Sequence, residues 1–311
     1  DQIVVPLTDP VVVPAFTFPA FSRSTRSDLK FLSLYIQDQI SIGDHFEIIG
    51  GVRFDRFDLD VNDIQSSLLL SRTDEKFSPR FGAIYKPQEN ISIYASYAKS
   101  FLPRSGDQFL TLSPATANLA PETFENIEFG VKWDLTPALS LTAALFRLDR
   151  DDQAILLDNQ GNTTLSGSRT EGLELQLVGK LTERWQINAG YSYLDGQQRN
   201  ASTVGGQDLR LFQVPEHMIS LWTKYDFTDQ FAGGLGVTHQ SSQFATNDNS
   251  VRIPAFTRVD AALYYDLSEK VQVQLNIENL FDETYFPSVH NNDNISTGEP
   301  LNVRLTVKFG F

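Results

Sequence analysis

The sequence predicts an all-β fold, a transmembrane antiparallel up-and-down β-barrel to which this chain contributes about thirteen strands. Three observations predict it. Apolar and polar residues alternate with period two through most of the chain. Short polar turns alternate with long loops rich in Asn, Asp, Ser, Gly and Pro. Tyr and Trp recur on the apolar face beside the short turns.

Taken in order, the first strand is DLKFLSLYIQDQI (Asp28 to Ile40), whose apolar phase is mixed, with Asp38 sharing parity with Leu34 and Ile36. In RFDRFDLDV (Arg53 to Val61) the apolar parity switches between Phe54 and Phe57, as a bulge or a strand leaving the membrane would require. Alternation is cleaner downstream. NIEFGVKW (Asn126 to Trp133) sets Ile127, Phe129, Val131 and Trp133 against polar neighbours. GLELQL, WQINAGYSY, VQVQLNIE and the closing LNVRLTVKFGF repeat the pattern. Short turns fall at SIGDH (Ser41 to His45), KPQEN (Lys86 to Asn90), DLTPA (Asp134 to Ala138), KLTER (Lys180 to Arg184), DFTDQ (Asp226 to Gln230) and DLSEK (Asp266 to Lys270). The long connections are expected at 61–73, 102–121, 151–168, 196–211, 241–252 and 282–298.

The apolar face is read as lipid-facing. Strands of about ten residues, tilted by ~40°, cross the ~25 Å apolar band of an outer membrane, whereas soluble strands average about five or six residues. Tyr85, Trp133, Tyr225 and Tyr265 close apolar faces before short turns and Trp185 follows one, which predicts an aromatic girdle at one membrane interface. The other face, with Glu174, Gln176, Gln272, Gln274, Asn276, Arg304 and Lys308, would line a wet lumen. The turns recur every 40–48 residues or so, the size of a propeller blade, but each interval holds two long strands instead of four short ones.

Bulk properties bound the alternatives. The 311 residues carry a net charge of −14 and 41% hydrophobic residues, with a mean hydropathy of −0.23; a barrel hides in such averages because every second strand residue is polar. No apolar run reaches the ~18 residues of a membrane helix; VVVPAFTFPAF is broken by Pro14 and Pro19. Cysteine is absent, which excludes disulfides and thiolate metal sites, and the acidic balance argues against nucleic acid as a partner. An odd strand count leaves the first and last strands parallel, so they cannot seal an antiparallel barrel, and open edges are costly in lipid. Further strands are therefore expected before Asp1, and residues 1–27 are expected to be the tail of an external loop, with 28–311 the C-terminal portion of the barrel.

NIENLFDETYF (Asn276 to Phe286), a loop and a last strand ending at Phe311 resemble the C-terminal end of TonB-dependent outer-membrane receptors. YIQDQI with GGVRFDRFD, FSPRFGAIYKP, SIYASYAKSFLPRSGDQF and NLAPETFENIEFGVKWD are similar to the ferric-siderophore members, particularly the catecholate type. The resemblance implies a barrel of about 22 strands, an N-terminal plug and TonB box lying outside this sequence, and active import of an Fe(III)-siderophore cargo coupled to the TonB complex. It also implies that Phe311 belongs to the signal read by the barrel-assembly machinery, and that the surroundings are outer-membrane lipid and lipopolysaccharide.

No catalytic constellation, resident cofactor or metal site is expected: the four His (45, 217, 239 and 290) lack ligand spacing, and DRDDQ and NNDN lack a calcium-loop pattern. An anionic, aromatic ferric catecholate calls for Arg and for aromatic or His side chains at the long-loop rim. That criterion selects Arg104 with Phe101 and Phe109, followed by His239, Phe244, Tyr285, Phe286 and His290. Competing readings are an importer of cobalamin, haem or a glycan, a passive porin, and a soluble propeller or lectin.

Overall fold

The computed structural model describes residues 24–104, 112, 114, 117–156, 163–199 and 209–310. Thirteen strands form one continuous antiparallel sheet. They are β1 (Thr25–Ile42), β2 (Phe46–Asp63), β3 (Leu68–Gln88), β4 (Ile91–Leu102), β5 (Glu122–Thr136), β6 (Leu139–Leu156), β7 (Thr163–Thr182), β8 (Trp185–Arg199), β9 (His217–Asp226), β10 (Phe231–Gln240), β13 (Phe256–Ser268), β14 (Val271–Glu278) and β17 (Asn302–Phe309). Two small hairpins, β11 (Gln243–Phe244) with β12 (Arg252–Ile253) and β15 (Ser288–Asn291) with β16 (Asn294–Ser296), sit in the two last long connections. Each strand pairs with its sequence neighbour in the sheet, so the topology is the expected meander.

All six short turns fall where the sequence placed them. They share one closure. The residue after an outward-facing rim residue donates its N–H to a carbonyl of the turn: Lys86 to His45, Asp134 to Asn90, Lys180 to Ala138, Asp226 to Arg184, Asp266 to Gln230 and Gly310 to Lys270, all at 2.7–2.9 Å. The aromatic residues that precede these donors are Tyr85, Trp133, Tyr225, Tyr265 and Phe309, which makes Phe309 a rim aromatic in the last strand. In β7 the equivalent position is Gly179, at φ +140°, where a Cβ would lie 2.0 Å from the Ala138 carbonyl oxygen. No aromatic fits there, and Trp185 on β8 takes the place.

Two of the long connections, β2–β3 and β6–β7, are shorter than expected, because their strands run on into them, whereas the other four are about as long as expected or longer. β2 and β3 stay paired up to Asp63↔Leu68, leaving a four-residue turn, 64–67. The phase change in β2 is not a bulge: its register with β1 and β3 is unbroken. The strand passes the top of the lipid band. Above it Arg56, Asp58 and Glu75 pair on the outside at 2.7–2.9 Å, while Leu59 and Val61 turn inward under Leu112 of the β4–β5 connection, with Leu29 and Leu70. The mixed phase of β1 has the same origin. Leu32, Leu34, Ile36, Ile40 and Ile42 face outward, Leu29 packs against the inner cluster, and Phe31 faces inward beside Phe57. Asp38 does face outward, exposed, opposite Gly50.

The two faces differ in the way a membrane barrel requires. From β3 onward the odd-numbered residues of paired strands share one face, as in Leu145↔Leu173↔Tyr193 and Leu263↔Leu275↔Leu305. Phe81, Phe129, Leu145, Leu235, Leu263 and Leu305 on this face are exposed. Burying apolar side chains is worth ~25 cal/mol per Å², so a face like this needs a non-aqueous neighbour. The opposite face carries Lys132, Glu128, Glu174, Gln176, Lys224, Gln274 and Arg304.

Candidate functional site

Tyr85, Trp133, Trp185, Tyr225 and Tyr265, the residues expected to form a girdle, all lie on the outward face beside short turns. Phe46 stacks on Tyr85 with ring centroids 4.8 Å apart, and Trp185 meets Tyr225 edge-on at 6.5 Å. A second group of outward-facing aromatics, which the sequence reading did not identify, lies farther from the short turns. Tyr97, Tyr191, Tyr193 and His217 face outward there, and the Tyr191 hydroxyl lies 3.0 Å from His217 Nδ1. Trp185 and Tyr193 are eight residues apart on β8, which is ~27 Å along the strand, or ~20 Å across the membrane at ~40° tilt.

The residues selected for cargo binding are distributed unevenly. Arg104 is buried, its side chain only 2% exposed. Its guanidinium donates to the carbonyls of Ala120 and Asp152 and lies 3.5 Å from Glu122. With Arg72, which donates to the Ala117 carbonyl at 2.5 Å, it ties the β4–β5 connection to the wall. Phe101 is half-buried, edge-on to Phe57 at 5.7 Å. Phe109 and Phe311 lie outside the described residues. His239 faces outward on β10, its Nδ1 2.8 Å from Thr257 Oγ1. His290 is exposed in the β15–β16 hairpin.

Tyr285, Phe286 and Phe244 come together in a loop assembly. Ala245, Ile253 and Val289 form a small core, against which Phe286 and Ile295 pack. The Asp248 carboxylate accepts hydrogen bonds from Thr246 Oγ1 (2.8 Å), Ser250 N–H (3.0 Å) and Asn292 Nδ2 (3.1 Å), joining the β10–β13 and β14–β17 connections. The Ser250 backbone N–H, foremost, and the Thr246 hydroxyl hold this carboxyl below the usual Asp range. The Phe244 carbonyl accepts from Gln213 N–H at 2.9 Å, which attaches the β8–β9 connection as well. Tyr285 is buried: its ring lies on Phe256 at 4.7 Å, and Arg258 donates to its hydroxyl at 3.0 Å.

The motif NLFDETYF is the clasp of this region. Asn279, fully buried at φ 53°, donates to the carbonyls of Glu283 (2.9 Å) and Glu299 (3.1 Å) and accepts from Glu283 N–H (2.9 Å). Its own N–H donates to Asp260 at 2.8 Å, and Asp282 accepts from Leu301 N–H at 2.9 Å. Asn tolerates the left-handed conformation better than other side chains, and its amide satisfies backbone groups that burial would leave unpaired.

A cluster of accessible cations on the inner wall lies elsewhere, on β1–β3. Register puts Tyr35 beside Arg53, Arg53 beside Ser78, Asp55 beside Lys76, and Gly51 beside Arg80. Arg53 therefore has Lys76 and Arg80 as its two diagonal neighbours, ~7–8 Å away. Its Nε donates to Asp55 at 2.8 Å, which leaves the terminal nitrogens available on a side chain 49% exposed. Lys76 and Arg80 have no carboxylate partner among the described residues. Phe31, 6.0 Å from the Arg53 guanidinium, and Tyr35, 77% exposed, supply aromatic surface. Arginine forks bind planar oxyanions in a bidentate way and stack on rings. The sequence signal for this patch was available: Arg53, Lys76 and Arg80 each stand next to a lipid-facing apolar residue, at opposite parity.

The profile described as TonB dependent receptor-like, beta-barrel matches residues 6–280. The chain is 31% identical over 301 residues to the probable TonB-dependent siderophore receptor PiuA of Acinetobacter baumannii, covering 90% of this chain and 40% of that protein. The crystal structure of PiuA superposes with a TM-score of 0.84 at 29% identity, covering 92% of this chain and 44% of that one. The closed form of the Escherichia coli ferric-catecholate import receptor Fiu superposes with a TM-score of 0.83 at 26% identity, covering 92% and 45%. The chain thus spans about two fifths of the length of the curated relatives it matches. It belongs to the TonB-dependent receptor family, and its sheet is outer-membrane β-barrel wall of that fold.

Proposed function

We propose that the receptor containing this chain imports ferric siderophores by TonB-coupled transport, and that Arg53, Lys76 and Arg80, with Tyr35 and Phe31, form the part of the wall that receives the anionic cargo. The observation that carries this reading is the cluster of three cations, two of them without carboxylate partners among the described residues, beside exposed rings on the inner face. The relatives named above as siderophore and ferric-catecholate receptors support the cargo class. An Fe(III) tris-catecholate is anionic and presents planar aromatic edges. Charge-assisted hydrogen bonds to it are worth ~1.5–3 kcal/mol each, and a cation on a desolvated ring adds ~0.5–2 kcal/mol. The wall performs no covalent step; it binds, and the energised inner-membrane partner supplies the work.

The test is uptake of radiolabelled ferric catecholate, ferric hydroxamate and ferric citrate by an iron-starved strain expressing the whole receptor, with the double variant R53A/R80A alongside. Catecholate uptake that depends on the receptor and falls at least tenfold in the variant supports the reading. A receptor that transports none of the three cargoes rejects the siderophore assignment.

A further inference from the structure

The outward face carries one groove whose lining is almost entirely apolar, where β8, β9, β10 and β13 meet the short-turn rim. Trp185, Tyr225 and Phe227 wall one side, Leu235 and Leu263 the other. Its floor has almost no side chain, since Gly233 and Ala261 stand there. The groove is open to the outside and has a volume of about 590 Å³. Its walls are fixed. Trp185 Nε1 donates to Thr223 Oγ1 at 2.7 Å, and that hydroxyl donates to the Gln186 carbonyl at 3.0 Å, so the Thr223 hydroxyl and the Trp185 indole are both satisfied. Phe227 is held between Tyr225 (5.3 Å) and Phe231 (5.5 Å). Gly233 makes room for it: a Cβ there would come within 2.9 Å of the Phe227 ring.

A cation stands beside the groove at the turn, where the Arg184 guanidinium donates to the Phe227 carbonyl at 3.4 Å. Arg184 precedes Trp185 at the turn and is 55% exposed; it lies 3.2 Å from Asp229, which is 94% exposed. A surface pair of this kind contributes little and yields readily to a better anion. Short turns of outer-membrane barrels are periplasmic, and the periplasmic leaflet is glycerophospholipid. We infer that this groove is a binding site for one periplasmic-leaflet phospholipid, with an acyl chain along Trp185, Leu235 and Leu263 and the phosphate on Arg184. The inference depends on the membrane placement of the sheet and not on the cargo.

Native mass spectrometry of the whole receptor, delipidated in detergent and titrated with dioleoylphosphatidylglycerol, tests it. Wild type is expected to retain one lipid under activation that strips the rest. Ala261→Phe, which fills the floor, and Arg184→Gln, which removes the charge, should each weaken that retention at least tenfold. Ala143→Phe, an outward position on β6 flanked by Val131 and Leu175, should leave it unchanged. Heat-modified mobility in SDS gels checks assembly, with Ala261→Leu replacing Ala261→Phe if the latter does not fold. Loss in both groove variants and not in the control supports the site; any other pattern overturns it.

Discussion

Leu175 and Gln176 are adjacent on β7 and separate the two environments of this wall. Leu175 faces outward between Ala143 and Tyr191, and Gln176 faces inward between Thr142 and Gly190. Leu175 stands four residues above the rim glycine Gly179. That is ~13 Å along the strand and ~10 Å along the membrane normal at ~40° tilt, close to the middle of a ~25 Å band. An Arg near the midplane of the lipid face costs ~2–4 kcal/mol. The same Arg at 176 enters a face that already holds Glu174, with Gly190 leaving room across the strand, so its cost is near zero. The expected separation between L175R and Q176R is therefore ~2–4 kcal/mol, a factor of about 30 to several hundred in the folded ratio. The assay is urea-dependent folding of the whole receptor into lipid vesicles, followed by heat-modified gel mobility. Equal stabilities for the two variants would refute the assigned faces and, with them, the lumenal placement of Arg53 and Arg80.

Three further outcomes follow from the same geometry. Arg53→Ala alone should weaken ferric catecholate binding about tenfold, the ~1.4 kcal/mol of one partly screened charged contact, measured by fluorescence quenching; an unchanged Kd would move the site elsewhere. Asn279→Ala should destabilise the barrel by about 3 kcal/mol, because buried backbone groups lose partners at ~1–3 kcal/mol each and Ala keeps the positive φ; a shift in the unfolding midpoint under 1 kcal/mol or so would show that the clasp is dispensable. Asp248→Asn should lower the hydrogen-exchange protection of Ala245 and Val289 together. Because the folded carboxyl titrates below its unfolded value, the junction that Asp248 makes between the two loops is fully stabilised above ~pH 4 and weakens as pH falls through the lower folded value. Protection that is independent of pH down to ~2 would contradict this.

Alternation and turn chemistry determined the architecture from sequence, because in a barrel wall each residue's environment follows from its parity. That local rule placed all six short turns and put the five girdle aromatics on the outward face. It failed where parity ceases to report membrane against water. Leu59 and Val61 are apolar and face inward, since a loop covers the mouth there, and no local pattern announces a loop some 50 residues away in the chain. Candidate binding residues were harder to read for the same reason. Arg104 has suitable chemistry on a suitable loop, yet long-range contacts with Ala120, Glu122 and Asp152 bury it. Arg53 and Arg80 sit in ordinary strand sequence and come together only through the β2–β3 register. Sequence determines which face a strand residue takes because the pleat is local; which cations end up without a partner is decided by pairings among distant strands, and only the tertiary structure supplies those.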